Sequence, residues 1–146
     1  ISAARVVRLF GFKPKVAFVS HSTFGQPLTS RTKHIRKAVD ILKEKEVNFE
    51  FDGDMQPDVA LNPEYKNLYP FSNIVGKSNI LIMPGQHSAA ISYKIMKTLG
   101  DAKVIGPLLI GLGLPIEIAP LRSSTSEIIN LASIAAYSAD IIDYKK

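Results

Sequence analysis

Asn48–Pro63 reads NFEFDGDMQPDVALNP and changes character midway. Its first half, Asn48–Met55, alternates around Phe49 and Phe51, so it reads as a strand running into a turn at Asp52-Gly53. Its second half opens a short helix at Pro57, where a first-turn residue needs no N–H partner. Asn62-Pro63 then marks a loop, as does Tyr69-Pro70 further on.

The same alternation repeats on either side. Upstream, Ser2–Phe10 places Ala3, Val6, Val7 and Phe10 on one helical face, and Gly11 ends it. Val16–Ser20 (VAFVS) is too short for a helix and reads as a buried strand. His21–Ser30 is a polar loop containing Gly25 and Pro27. Ser30 has the character of an N-cap, and Ile35, Ala38, Val39, Ile41 and Leu42 recur at helical spacing through Lys45. Downstream, Asn79–Met83 (NILIM) reads as a central strand closed by Pro84-Gly85. Ser88–Leu99 reads as a helix ended by Gly100. Val104–Gly111 and Pro115–Ala119 suggest a hairpin-like pair, and Ser124 or Thr125 can cap a last helix through Ile142. Strands alternating with amphipathic helices predict an α/β fold, a three-layer α/β/α open sheet with helices on both faces.

The chain has 146 residues, the size of one domain, and its 46% apolar and 21% charged residues are ordinary globular values. We read residues 1–146 as a single domain without linkers or repeats. It holds no cysteine, which removes disulfides, thiol catalysis and thiolate metal sites. The net charge of +5 is scattered, with one cluster at Arg31, Lys33, His34, Arg36 and Lys37. That balance suits an anionic small-molecule ligand; no nucleic-acid motif accompanies it. No apolar run is long enough to span a bilayer and no signal peptide is visible, which predicts a cytoplasmic protein without a membrane partner. The chain starts without Met inside a helical pattern, and we read it as a fragment of a larger protein.

Four places can carry chemistry. Ser20, His21, Ser22, Thr23, Phe24 and Gly25 follow the first strand, where open α/β sheets collect ligands. Their hydroxyls and the next helix N-terminus suit an anion, while a polar surface loop with an N-cap is the plainer reading. No Walker or GxGxxG spacing is present, so nothing supports NADP binding by this chain. Asp52, Asp54 and Gln56 offer two carboxylates to a metal, but acids bonding backbone N–H groups at a strand end are preferred. Lys94, after Tyr93, either meets a phosphate or snorkels at the surface. Arg122, with Ser123 to Ser126 and Glu127 at a helix start, pairs a guanidinium fork with free backbone donors. His21, His34 and His87 show no metal spacing.

The ordered phrases DGDMQPDVALNP (Asp52–Pro63), GKSNILIMP (Gly76–Pro84), SYKIM (Ser92–Met96) and GPLLIGLGLPIEI (Gly106–Ile118) resemble the phosphate acetyl/butyryl-transferase family. More closely, they resemble the transferase-like domain at the C-terminus of bacterial NADP-dependent malic enzymes. The resemblance implies the second domain of a phosphotransacetylase-like fold, related to the isocitrate and isopropylmalate dehydrogenases. In that fold coenzyme A and acyl phosphate meet in an interdomain cleft, half of which this chain would lack. It implies acetyl-CoA or a related acyl-CoA as ligand, bound through Ser20, Ser22, Thr23, Gly25, Lys94, Arg122 and Ser123. It also implies a homodimer or higher homo-oligomer, with NADP and a divalent metal confined to upstream domains.

Two departures from the transferases stand out. They carry Ser-Arg-Gly before the last helix, where this chain has Leu121-Arg122-Ser123. The Arg is kept, the acyl-transfer Ser is lost, and the Asp that follows in the family has no clean counterpart, Glu127 being the nearest acid. They also show Asp-Ala-Gly-Asn-Ile where this chain has His87-Ser88-Ala89-Ala90-Ile91, which puts Ala90 in place of an amide. If transfer chemistry survives, Arg122 and Glu127 would carry it. The resemblance instead favours a regulatory and oligomerisation domain over a phosphate acetyltransferase.

Overall fold

In a computed structural model, which describes residues 1–100 and 103–143, the chain forms two compact units, Ile1–Lys94 and Ile95–Lys146. The first is built on three parallel strands: β1 (Lys15–Val19), β2 (Glu50–Met55) and β3 (Ile80–Ile82), in the order β2-β1-β3. The VAFVS run is therefore the central strand. Asn79–Met83, expected at the centre, shortens to an edge strand.

Alternation along β1 sorts the core onto two faces. Val16 and Phe18 pack with Ile80, Ile82, Phe51 and Phe49 on one face. Helix α1 (Ser2–Leu9) covers that face with Ala3, Ala4 and Val7. Ala17 faces the other way, with Met55 and Ile74, beneath Val59 and Ala60 of helix α3 (Pro57–Leu61). The sheet is thus covered on both faces, as an α/β protein requires.

Helix α2 (Ser30–Glu44) connects β1 to β2 and buries Thr32, Val39 and Leu42. Its cap is Thr29, one residue before the expected Ser30. Thr29 accepts the Thr32 N–H while the Thr32 hydroxyl oxygen accepts the Thr29 N–H, a reciprocal capping box. Ile41 is 44% exposed, so the buried stripe is narrower than the apolar periodicity suggested. The break expected at Asn62-Pro63 is itself a cap: the Asn62 side chain accepts the Glu64 N–H and starts α4 (Pro63–Lys66).

Asp52-Gly53 is not a turn. The strand continues through it, and the register of β1 against β2 shifts between Phe18 and Val19. Gly53 makes this pairing feasible. Its φ is +153°, and a Cβ there would lie 2.7 Å from both Cβ and the carbonyl oxygen of Phe18.

The second unit contains the end of α5 (Gln86–Leu99) and α6 (Thr125–Asp143). Among the described residues between these helices there is no strand. The expected hairpin over Val104–Ala119 does not form, because Pro107 and Pro115 lack the N–H a ladder needs. Gly106 holds φ +133°, and the Glu117 carboxylate takes the Leu109 N–H. Two substitutions test the strand geometry. Gly53→Ala is expected to cost more than about 1 kcal/mol, because it adds a Cβ at an incompatible φ against fixed backbone. Gly113→Ala, with open space around it, should change the urea midpoint little. Equal midpoints for the two variants would contradict this packing.

Candidate functional site

The loop leaving β1 is tied to the end of β2 at nearly every residue. Ser20 N–H donates to the Met55 carbonyl at 2.9 Å, and Phe24 N–H donates to the Asp54 carbonyl at 2.6 Å. From the other side, Gln56 N–H donates to Thr23 Oγ1 at 3.2 Å and Gln56 Nε2 donates to the His21 carbonyl at 3.0 Å. Thr23 and Gln26 exchange both backbone bonds, closing a tight turn. Its central residues, Phe24 at φ +50° and Gly25 at φ +84°, both hold the positive φ that a type I′ turn demands.

Asp54 sits beneath this turn and is fully buried. Its Oδ2 accepts the Ser22 hydroxyl and, at 3.3 Å, the Gly25 N–H. Its Oδ1 has no partner among the described residues. Asp52 behaves differently: its two oxygens accept the backbone N–H groups of Gly53 (2.9 Å) and Asn73 (2.7 Å). That is the strand-end role favoured from the sequence. Among the described residues no group of three or more His, Cys, Asp or Glu is placed to hold a metal.

The hydroxyls expected to meet an anion are turned inward. Ser20, Ser22 and Thr23 are all buried, with Ser22 bonded to Asp54 and Thr23 to Gln56. What the loop exposes is His21 and Gln26; Gly25 is half-buried, and Phe24 is half-buried against the Ala17, Met55 and Val59 core. Phe24 packs on Tyr69 and Phe71, with ring centroids 5.4 and 4.8 Å away. Arg36 of α2 lies against Gly25, where any Cβ would collide with its guanidinium. The sequence signalled neither contact: Tyr69 and Phe71 sit in a loop with no periodicity, and Arg36 read as one of several surface cations.

Lys94 lies exposed on α5, after the half-buried Tyr93. In the second unit, Leu121 is fully exposed, Arg122 is exposed and Ser123 is half-buried, its N–H donating to the Pro120 carbonyl. Ser124 and Glu127 form a capping box at the start of α6. The Glu127 carboxylate accepts the Ser124 N–H at 2.8 Å and its hydroxyl at 3.0 Å, and Ser124 Oγ accepts the Glu127 N–H at 3.3 Å. Lys97 closes the set with a 2.6 Å ion pair to Glu127. These bonds, the Lys97 one first and the Ser124 ones next, lower the Glu127 pKa from 4.5 to about 2 against a small opposing effect of burial. The cavity beside Ser123, Glu127 and Asn130 measures about 10 Å³, room for no more than one water.

Comparison with known proteins places the chain in a family. The family described as phosphate acetyl/butaryl transferase matches residues 1–136. An NADP-dependent malic enzyme of Rhizobium meliloti (strain 1021) is 46% identical over 137 residues, covering 94% of this chain and 18% of its own length. A phosphate acetyltransferase of Acetivibrio thermocellus is 34% identical over 135 residues, 92% of this chain and 41% of its own. A solved phosphotransacetylase from Streptococcus pyogenes superposes with a TM-score of 0.88 at 33% identity, covering 94% of this chain and 42% of that one. The chain therefore spans less than a fifth of the malic enzyme and about two fifths of the transferases. It belongs to the phosphate acetyl/butaryl transferase family.

Two measurements follow from the geometry. Ser22→Ala should destabilise the protein by about 1–3 kcal/mol, since it strips a donor from a buried carboxylate; an unchanged urea midpoint would contradict the bond. For Glu127, the depressed pKa means its contribution to stability is complete above about 4.5 and is lost as pH falls toward 2. An NMR titration of its carboxyl should show a midpoint near 2, moving up in Lys97→Ala. A midpoint that ignores Lys97 would remove the ion pair from the account.

Proposed function

We propose that this chain is the C-terminal transferase-like domain of an NADP-dependent malic enzyme, a regulatory and oligomerisation module that binds acetyl-CoA or a related acyl-CoA. The observation that carries this reading is Leu121. A fully exposed leucine stands next to Arg122, where the transferases the sequence resembles carry their acyl-transfer serine. A leucine neither hydrogen-bonds nor shuttles a proton, yet Arg122 keeps the fork that holds phosphate or carboxylate oxygens. Greater identity to the malic enzyme than to the acetyltransferase supports the same choice.

In this reading Arg122 and Ser123 offer contacts to the ligand's anionic groups, and Lys94 is proposed as a phosphate contact in its own right. Ser20, Ser22 and Thr23 act by shaping the loop whose surface Gly25 presents. Oxidative decarboxylation of malate to pyruvate, with NADP and a divalent metal, belongs to other domains of the parent protein, which we place in the cytoplasm. No helix among the described residues is long and apolar enough to cross a membrane. Exposed Ile128, Ile129 and Tyr137 on α6 support burial of that helix in a homodimer or higher homo-oligomer. Acetyl-CoA alters malate turnover to the extent that it binds one global state more tightly than another.

The second reading, a phosphate acetyltransferase domain passing acetyl between coenzyme A and phosphate, has the superposition on a phosphotransacetylase in its favour. There Arg122 would hold the acyl phosphate and Glu127 would be the available base. A carboxyl with a pKa of about 2 is far from the neutral value that suits a general base.

Calorimetric titration of acetyl-CoA into the full-length protein separates the readings. We expect binding that Arg122→Ala weakens about ten- to a hundredfold, the loss of a charge-assisted bond, without acetyl phosphate formation. Acetyl phosphate formation would favour the transferase, and absence of binding would leave a scaffold.

A further inference from the structure

We propose that the apolar cavity between α1 and α2 binds a medium-chain fatty carboxylate, with the chain inside and the carboxylate on Lys45 at the mouth. The cavity shares no residue with the Ser20–Gly25 loop and includes neither Lys94 nor Arg122. The proposal therefore stands or falls independently of the acyl-CoA reading.

The cavity measures about 360 Å³, inside the roughly 300–1,000 Å³ range of small-molecule sites. Its floor is the sheet face formed by Val16, Phe18, Ile80 and Ile82. Ala3 and Ala4 of α1 stand on one side, and Ala38, Ile41 and Leu42 of α2 on the other. Ile1 and Phe49 complete the apolar lining, which leaves Ser2 and Lys45 as its polar members.

The cavity exists because both helices bring alanines to it, and a single methyl group cannot fill the space above the sheet. Close-packed interiors leave few voids larger than a water. A void with apolar walls stays dry, since water finds no partners there, and it takes up apolar molecules. The same gap accounts for two exposed isoleucines. Ile1 and Ile41 are 54% and 44% exposed, and both line it. An occupant with an apolar body would cover them and extend the core of Ala4, Val16 and Ile80 outward.

Lys45 selects the head group. It is the C-cap of α2 and has no carboxylate partner among the described residues, whereas Lys43 is paired with Asp40 and Lys15 with Glu50. A lysine stem lies along apolar surface while its ammonium stays in water, so the cation belongs at the rim. The neighbouring acids Glu44 and Glu46 do not line the cavity. The lining thus offers one cation, one hydroxyl and no anion, which favours a carboxylate over an amine. The carboxylate remains at the solvent edge, because burying it without full pairing is costly.

The probe is decanoate, titrated calorimetrically into the full-length protein, with hexanoate, octanoate and decanol as companions. We expect saturable binding that tightens about fourfold for each methylene added from hexanoate to decanoate. Ala38→Leu places a larger side chain at an exposed helix position on the cavity wall. It should weaken decanoate about tenfold or more while leaving the urea midpoint equal or higher, since leucine suits a helix. Lys45→Ala should weaken decanoate about two- to fivefold and leave decanol unchanged. Absent or non-saturable decanoate binding, or an affinity that Ala38→Leu does not alter, would overturn the site. Decanoate that ignores Lys45→Ala would overturn the assignment of the carboxylate.

Discussion

The buried carboxylate of Asp54 holds the first unit's functional edge together. It receives the Ser22 hydroxyl and the Gly25 N–H from the loop after β1, while its own backbone carbonyl receives the Phe24 N–H. A carboxylate out of water is costly unless bonded, so removing a partner is penalised far more than the bond's net value suggests. Three consequences follow from that single anchor. The ends of two parallel neighbours, β1 and β2, are clamped. The loop hydroxyls are committed to the protein. The Phe24-Gly25 turn is held at positive φ with the Phe24 ring half-buried against the core, beside Tyr69 and Phe71.

Much of the frame was visible in the residue pattern because it rests on local rules. Pro57 began a helix and Gly100 followed one; Val16–Ser20 was a buried strand; Ser124 or Thr125 marked a helix start. What the pattern hid was set by tertiary contacts. Asp52-Gly53 has turn chemistry, yet here the glycine serves close strand approach to Phe18. Thr29 and not Ser30 caps α2, since the reciprocal partner is Thr32, a residue type outside the usual capping-box signature. The apolar stretch after Val104 alternates like strands, but its prolines and glycines leave it no ladder.

The candidate site divides along the same line. Residue types flagged the Ser20–Gly25 loop and Arg122, and both lie where chain direction changes, as ligand-binding segments do. Which atoms face outward was not readable from types. A hydroxyl is an equally good partner for a ligand or for a buried carboxylate far away in sequence (Ser22 to Asp54 spans 32 positions). Glu127 shows the same ambiguity: an acid near an Arg resembles a base, but here it is a helix cap fixed by Lys97.

The proposed reading, binding without turnover, rests on Leu121 standing beside Arg122. The decisive measurement is malate-dependent NADP reduction by the full-length protein across an acetyl-CoA titration, with acetyl phosphate assayed in the same samples. The account predicts that acetyl-CoA changes the malate rate saturably and that no acetyl phosphate forms. A malate rate identical at zero and saturating acetyl-CoA, or phosphate-dependent acetyl transfer, would contradict it.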